Sequence, residues 1–174
     1  VRIPDVMLFV NGIPVAILEL KNPTDENATI RDAHTQITVR YRRDIMNLLK
    51  YSSLAVISDG SNSRLGNVFA DYEFFYSWKK INNEDKPVNG VAELTAMIKG
   101  ALTPERVVEL VRDYVYFPDR DYAMQKAENG KEIEIVCRYP QFFATRRLRD
   151  NIMLHLRSHG GDGKGGTYFG ATGC

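Results

Sequence analysis

Pro4-Asp5 is followed, thirteen residues on, by Glu19-Leu20-Lys21. Glu19 and Lys21 are two apart, so on a strand they leave the same face. The residues before them, Val15, Ala16, Ile17 and Leu18, are apolar. A carboxylate and an ammonium at the end of a buried strand are costly to desolvate and need a purpose. Phosphodiester hydrolysis supplies one. Carboxylate oxygens from Asp5 and Glu19 suit Mg2+, a hard cation that prefers oxygen ligands and keeps several waters, and the Leu20 carbonyl can complete its shell. Such an ion neutralises phosphate charge and acidifies a bound water. The Lys21 ammonium would orient that water or stabilise the developing charge. The plainer alternative is a Glu/Lys pair at a strand edge plus a turn aspartate, because Glu-x-Lys alone is a common word.

The elements that must position these groups are legible around them. VMLFV (6–10) and IPVAILEL (13–20) are apolar runs joined by Asn11-Gly12, a strong hairpin signal. Neither alternates with polar residues, so both strands are expected to be covered on both faces. A two-residue Asn11-Gly12 turn would set Asp5 and Glu19 on opposite sides of the ribbon. A three-residue loop with Gly12 in a left-handed bulge would set them on the same side. The expectation is therefore the bulged loop, or a break at Asp5 after Pro4. Ile30, Ala33, Ile37, Tyr41, Ile45 and Leu48 recur at steps of three and four and predict a helix over 28–49, capped by Asn27 or Thr29. A buried strand over 53–58 closes at Asp59-Gly60, shorter strands follow at 65–70 and 72–78, and helices at 91–100 and 104–115, the latter with Pro104 at its first position. Residues 131–138 read as a strand, 141–157 as a helix, 158–166 as a connector and 167–169 as a short strand. This order predicts a mixed central sheet flanked by helices, an α/β class.

The spacing of Asp5, Glu19 and Lys21 resembles the PD-(D/E)xK nuclease motif. The words around it, IPDVMLFVNGIPVAILELKNP (3–23), DAHTQITVRY (32–41), LAVISDGSNSRLGN (54–67) and FFYSWKKIN (74–82), resemble the nuclease domain of the restriction subunit of type I restriction-modification enzymes. The resemblance implies a restriction-endonuclease-like core, metal binding by Asp5 and Glu19, and a catalytic Lys21. It also implies a helix carrying Gln-x-x-x-Tyr beside the site. Gln36 matches, but position 40 is Arg and the tyrosine is Tyr41. On an α-helix that shift turns the ring by about 100°, so the apolar stripe claims Tyr41 for the core and leaves Gln36 and Arg40 on the active face. Many relatives place a further acidic residue on a helix before the aspartate. That helix is expected to be missing from this fragment, which is therefore expected to be inactive by itself.

Two features of the second half fit the same resemblance. RYPQFFATRRL (138–148) resembles the segment preceding the motor of superfamily 2 helicases and translocases, where a glutamine reads adenine. Gln141 is its counterpart, with packing at a helix start as the alternative. GATGC (170–174) resembles the opening of a phosphate-binding loop, which makes Gly170, Thr172 and Gly173 nucleotide-binding candidates without the Gly-Lys-[Ser/Thr] that would complete it. The expected organisation is an endonuclease-like domain over 1–120, then a linker and the start of the motor over 121–174, cut from a longer polypeptide.

Charge and composition narrow the partners. Lys plus Arg number 23 and Asp plus Glu 22, so a polyanion must be met by local patches. Arg40, Arg42 and Arg43 form one such patch after the hairpin, suited to DNA phosphates or to a solvated helix face. No apolar run is long enough to span a bilayer. Two widely spaced cysteines, Cys137 and Cys174, fit a reducing, cytoplasmic setting. His155 and His159 are four apart but have no accompanying glutamate, so no zinc site is expected. The expected function is Mg2+-dependent cleavage of double-stranded DNA by a type I site-specific deoxyribonuclease. It would use ATP in the full-length protein and work with methylation and specificity subunits. The alternative is a non-catalytic module that docks the motor to DNA or to its partner subunits.

Overall fold

The computed structural model describes residues 2–25, 28–117 and 134–170. It divides into two compact units, 1–136 and 137–174. The boundary expected at 120/121 lies outside the described residues. In the first unit β1 (Val6–Val10), β2 (Ile13–Leu20), β3 (Leu54–Ser58) and β4 (Ser63–Gly66) form one mixed sheet in that order. The pairs β1–β2 and β3–β4 are antiparallel, and β2–β3 is parallel. A parallel pair needs a crossover, here α1 (Ile30–Thr35), a π-helical turn (Gln36–Tyr41) and α2 (Arg42–Leu49). α3 (Ala92–Ala101), α4 (Pro104–Asp113) and the short pair β5 (Val115–Tyr116) and β6 (Ile135–Val136) are the other α-helices and strands of this unit among the described residues. The second unit contains α5 (Tyr139–His155).

The hairpin reaches the expected facing of Asp5 and Glu19 by another route. Asn11 (φ 50°) and Gly12 (φ 82°) are both left-handed, which makes a tight two-residue turn rather than the three-residue loop. The register then slips inside the strands: Phe9 pairs with Pro14 but Leu8 with Ala16, leaving Val15 as the extra residue. Pro14 has no N–H to give a ladder, and bulges are where strands tolerate it. Beyond the bulge Val6 faces Leu18. Continued by one residue, that register puts Asp5 beside Glu19.

β2 and β3 are buried on both faces, as their apolar runs require. β1 departs from the expectation. It is the sheet edge, and Val6 and Phe9 are exposed. Ile17, Ala55 and Ile57 share a core with Ile30, Ala33, Ile37, Tyr41 and Leu49 of the crossover. Thr29 caps α1, with its hydroxyl accepting the Asp32 amide while the Asp32 carboxylate accepts the Thr29 N–H. Asn27 lies outside the described residues.

Other boundaries shift for local reasons. The helix expected over 28–49 is broken by the π-turn and by non-helical backbone at Ile45. No strand forms over 72–78. The Asn67 side chain accepts the Phe69 amide and ends β4, Tyr72–Phe74 is a 3-10 turn, and a single bridge joins Tyr76 to Leu65. Residues 167–169 are not a strand either, and Phe169 is almost fully exposed. Of the strand expected over 131–138, only Ile135–Val136 forms among the described residues. No helix among them is long and apolar enough to cross a membrane.

Glu134, beside β6, is buried, and its carbonyl accepts the Asn67 side-chain N–H. Burial pushes its carboxyl up to about 7, against a weaker opposing hydrogen bond from Ser53. The folded state therefore holds this proton over a range in which the unfolded chain has released it. Stability should fall as pH rises from the ordinary glutamate value of 4.5 through about 7. Melting temperatures between pH 5 and 8 test this: Glu134→Gln should flatten the profile, and an unchanged slope would refute it.

Candidate active site

The C-terminal ends of β2 and β3 lie side by side, and the ladder runs one residue past β2, with the Lys21 N–H donating to Ser58 O at 2.7 Å. The β3–β4 turn supports this end. Asp59 accepts the Ser61 and Asn62 amides. Gly60 is left-handed and packs so closely on Pro23 that an added Cβ would sit 2.9 Å from the Pro23 Cβ.

On this support Glu19 and Lys21 bond directly, and Asp5 reaches the backbone between them. Asp5 Oδ2 accepts the Leu20 N–H at 2.7 Å. Glu19 is 1% exposed, and its Oε1 accepts Lys21 Nζ at 2.7 Å. Lys21 Nζ also donates to Gln36 Oε1 at 2.8 Å. An ammonium has three N–H donors, so one remains after these two bonds. The other Asp5 oxygen accepts no hydrogen bond among the described residues.

Tyr41 changes place relative to the sequence reading. It packs in the core, as its stripe required, and it also reaches the site. Its hydroxyl accepts Gln36 Nε2 at 2.7 Å and stands 3.1 Å from Glu19 Oε2 and 3.0 Å from Ile3 O. The single hydroxyl proton has two acceptors, and the charged Glu19 oxygen is the stronger. Burial pushes the phenol up, a Gln36 hydrogen bond opposes this, and the Glu19 charge adds to the rise, so the proton stays on. The pair on the active face is thus Gln36 and Tyr41, not Gln36 and Arg40. The π-turn is the reason: the Arg42 N–H reaches Ile37 O, five residues back, so one extra residue fits into the turn. Residues five apart then stand where residues four apart would stand on an α-helix. The signal was present in the sequence as Gln36 and Tyr41, but regular helical geometry hid it.

The basic patch is partly committed. Arg43 donates to Asp44 at 2.6 and 3.1 Å, and Arg42 lies 5.0 Å from the Phe69 ring centroid. Arg40 is exposed. The bonds from Arg43, and then Arg2, hold the Asp44 carboxyl far below the usual range. In the second unit Gln141 Oε1 accepts the Arg138 N–H at 2.9 Å, capping α5. Gly170 is exposed, while Thr172, Gly173 and Cys174 lie outside the described residues.

Among the described residues no three His, Cys, Asp or Glu side chains gather into a metal cage. The donors at this end of the sheet are two carboxylates and a backbone carbonyl. That all-oxygen set fits a hard divalent cation that keeps its waters, and not a soft or thiophilic metal.

The protein is thus a mixed α/β domain with a carboxylate–carboxylate–lysine cluster at one end of its sheet. Residues 1–74 match the family described as type I restriction enzyme R protein N terminus. The chain is 33% identical over 154 residues to the type I restriction enzyme HindI endonuclease subunit of Haemophilus influenzae, covering 87% of this chain and 14% of that protein. It is 35% identical over 91 residues to the type I restriction enzyme EcoprrI endonuclease subunit of Escherichia coli, covering 45% of this chain and 27% of that protein. The chain belongs to the type I restriction R protein family and corresponds to its N-terminal part. It spans only a minor share of the length of these relatives.

Proposed function

We propose that this domain has a PD-(D/E)xK-type core that hydrolyses phosphodiester bonds of double-stranded DNA with Mg2+, as the cutting part of a type I restriction enzyme. The reading rests on one observation: Asp5, Glu19 and Lys21 share one end of β2, with Glu19 and Gln36 both holding the Lys21 ammonium. Asp5, Glu19 and the Leu20 carbonyl would hold the cation. When bound, it would neutralise phosphate charge and supply an acidified water. Lys21 keeps one N–H to donate to a phosphate oxygen or to position the attacking water. Gln36 restrains Lys21, and Tyr41 restrains Glu19. Nothing in the described fold resembles a base-reading element, so cutting would have little sequence preference of its own. Recognition would come from methylation and specificity subunits, and ATP-driven movement from the motor region, whose first residues would include Gln141 and Gly170. Arg40 is the arginine of the basic patch freest to meet DNA.

The test uses the full-length subunit in its assembled complex. Asp5→Ala, Lys21→Ala, or removal of Mg2+ under conditions that keep DNA bound should each abolish cleavage. The two variants should still hydrolyse ATP. Undiminished cutting by both would defeat the catalytic reading and favour a docking role.

A further inference from the structure

The sheet carries a second cluster on the same face. Glu19 pairs with Ile57, and Ile57 with Arg64, so Arg64 leaves the sheet on the side of Glu19, two strands away. Strands lie about 4.8 Å apart, which puts the two backbones roughly 10 Å from each other. The Arg64 guanidinium lies 4.8 Å from the centroid of the Tyr72 ring. The Arg31 guanidinium, from α1, lies 4.3 Å from the same centroid. The ring is held in place by His34, which meets Tyr72 and Phe75 edge-on at 5.5 and 5.0 Å and bonds to Ala70 O at 3.0 Å. Arg64 also donates to Phe75 O.

Two cations gathered on one ring repel each other, and the ring's negative face offsets only part of that. Acidic residues are near in sequence, Asp32 beside Arg31 and Asp71 and Glu73 beside Tyr72. Yet among the described residues neither arginine has an ion-pair partner. Asp32 is instead spent on capping α1 through Thr29. Compare Arg43, which Asp44 holds in a two-point bond. The Arg31–Tyr72–Arg64 cluster therefore presents uncompensated planar donors suited to an oxyanion. The Arg64 backbone, roughly 10 Å from that of Glu19, is set off by about three nucleotide steps, at about 3.4 Å of rise each along one DNA strand.

We propose that Arg31 and Arg64, assembled on Tyr72, grip a backbone phosphate of the DNA a few nucleotides from the bond being cut. This rests on the nuclease reading above and adds to it the surface along which the strand lies. The test again uses the assembled complex with the full-length subunit, measuring the rate of cutting of a plasmid across a salt series. Arg31→Ala/Arg64→Ala should cut about tenfold or more slowly at low salt, and its rate should depend less steeply on salt, because phosphate contacts carry the counterion-release slope. Arg31→Lys/Arg64→Lys should recover most of the rate. Cutting by the double alanine variant at the normal rate overturns the proposal, as does a loss with unchanged salt slope that lysine does not rescue. Glu19→Ala separates the two readings. If it is dead while the double alanine variant is normal, only the phosphate grip fails; if it cuts normally, the nuclease reading fails as well.

Discussion

Glu19→Gln in the full-length subunit should lower DNA cleavage by at least about a hundredfold, the scale of losing one preorganised electrostatic group, while ATP hydrolysis stays unchanged. The substitution keeps the shape of the side chain and removes its charge. Its hydrogen bonds can be remade: the amide oxygen keeps Lys21 Nζ, and the NH2 donates to the Tyr41 hydroxyl, which turns its proton to Ile3 O. The cost in stability should be about 1–3 kcal/mol, the scale of weakening a hydrogen bond between charged groups. It should stay below the ~3–5 kcal/mol of a broken, fully buried ion pair, because the Lys21 side chain retains 16% exposure and can turn to water. Cleavage rates paired with thermal melts separate the two effects. A variant that melts normally and cuts at the wild-type rate would end the catalytic assignment of Glu19.

Tyr41→Phe is expected to slow cleavage about 10- to 100-fold, as loss of an outer partner of a metal-binding group does, with a stability loss of ~1–2 kcal/mol. The ring stays in the core, where Tyr41 is 2% exposed. Only the hydroxyl goes, and with it the acceptor for Gln36 and the donor to Glu19 or Ile3. Since Gln36 also holds Lys21, the damage should extend to both sides of the site. Deleting Val39, 57% exposed within the π-turn, should keep cleavage within about tenfold of wild type. One residue fewer converts the turn to α-helix and leaves Gln36 and the tyrosine on one face at four-residue spacing. If Tyr41→Phe cuts normally, the hydroxyl has no part in the site. If the Val39 deletion behaves like Tyr41→Phe, the π-turn is not what aligns the pair.

The amino-acid order alone determined the hairpin, whose strands run over the residues its apolar runs mark, and the identity of the groups at its open end. Asn11-Gly12 marks where the turn falls, though not its length, and Glu19 and Lys21 share a face because a strand repeats every two residues. It also determined the Pro104 helix start and the burial of β2 and β3, since these depend on local backbone limits and on continuous apolar runs. Tertiary structure decided the rest. The face on which Asp5 lands depends on a bulge at Val15, where the missing Pro14 donor and the packing of β2 settle the register together. The role of Tyr41 depends on a π-turn, favoured where one ring must both fill the core and reach Glu19. The Arg31–Tyr72–Arg64 cluster joins residues from a helix, a strand and a 3-10 turn. Each of these outcomes rests on contacts between segments distant along the chain, whose energies no local pattern of residues encodes.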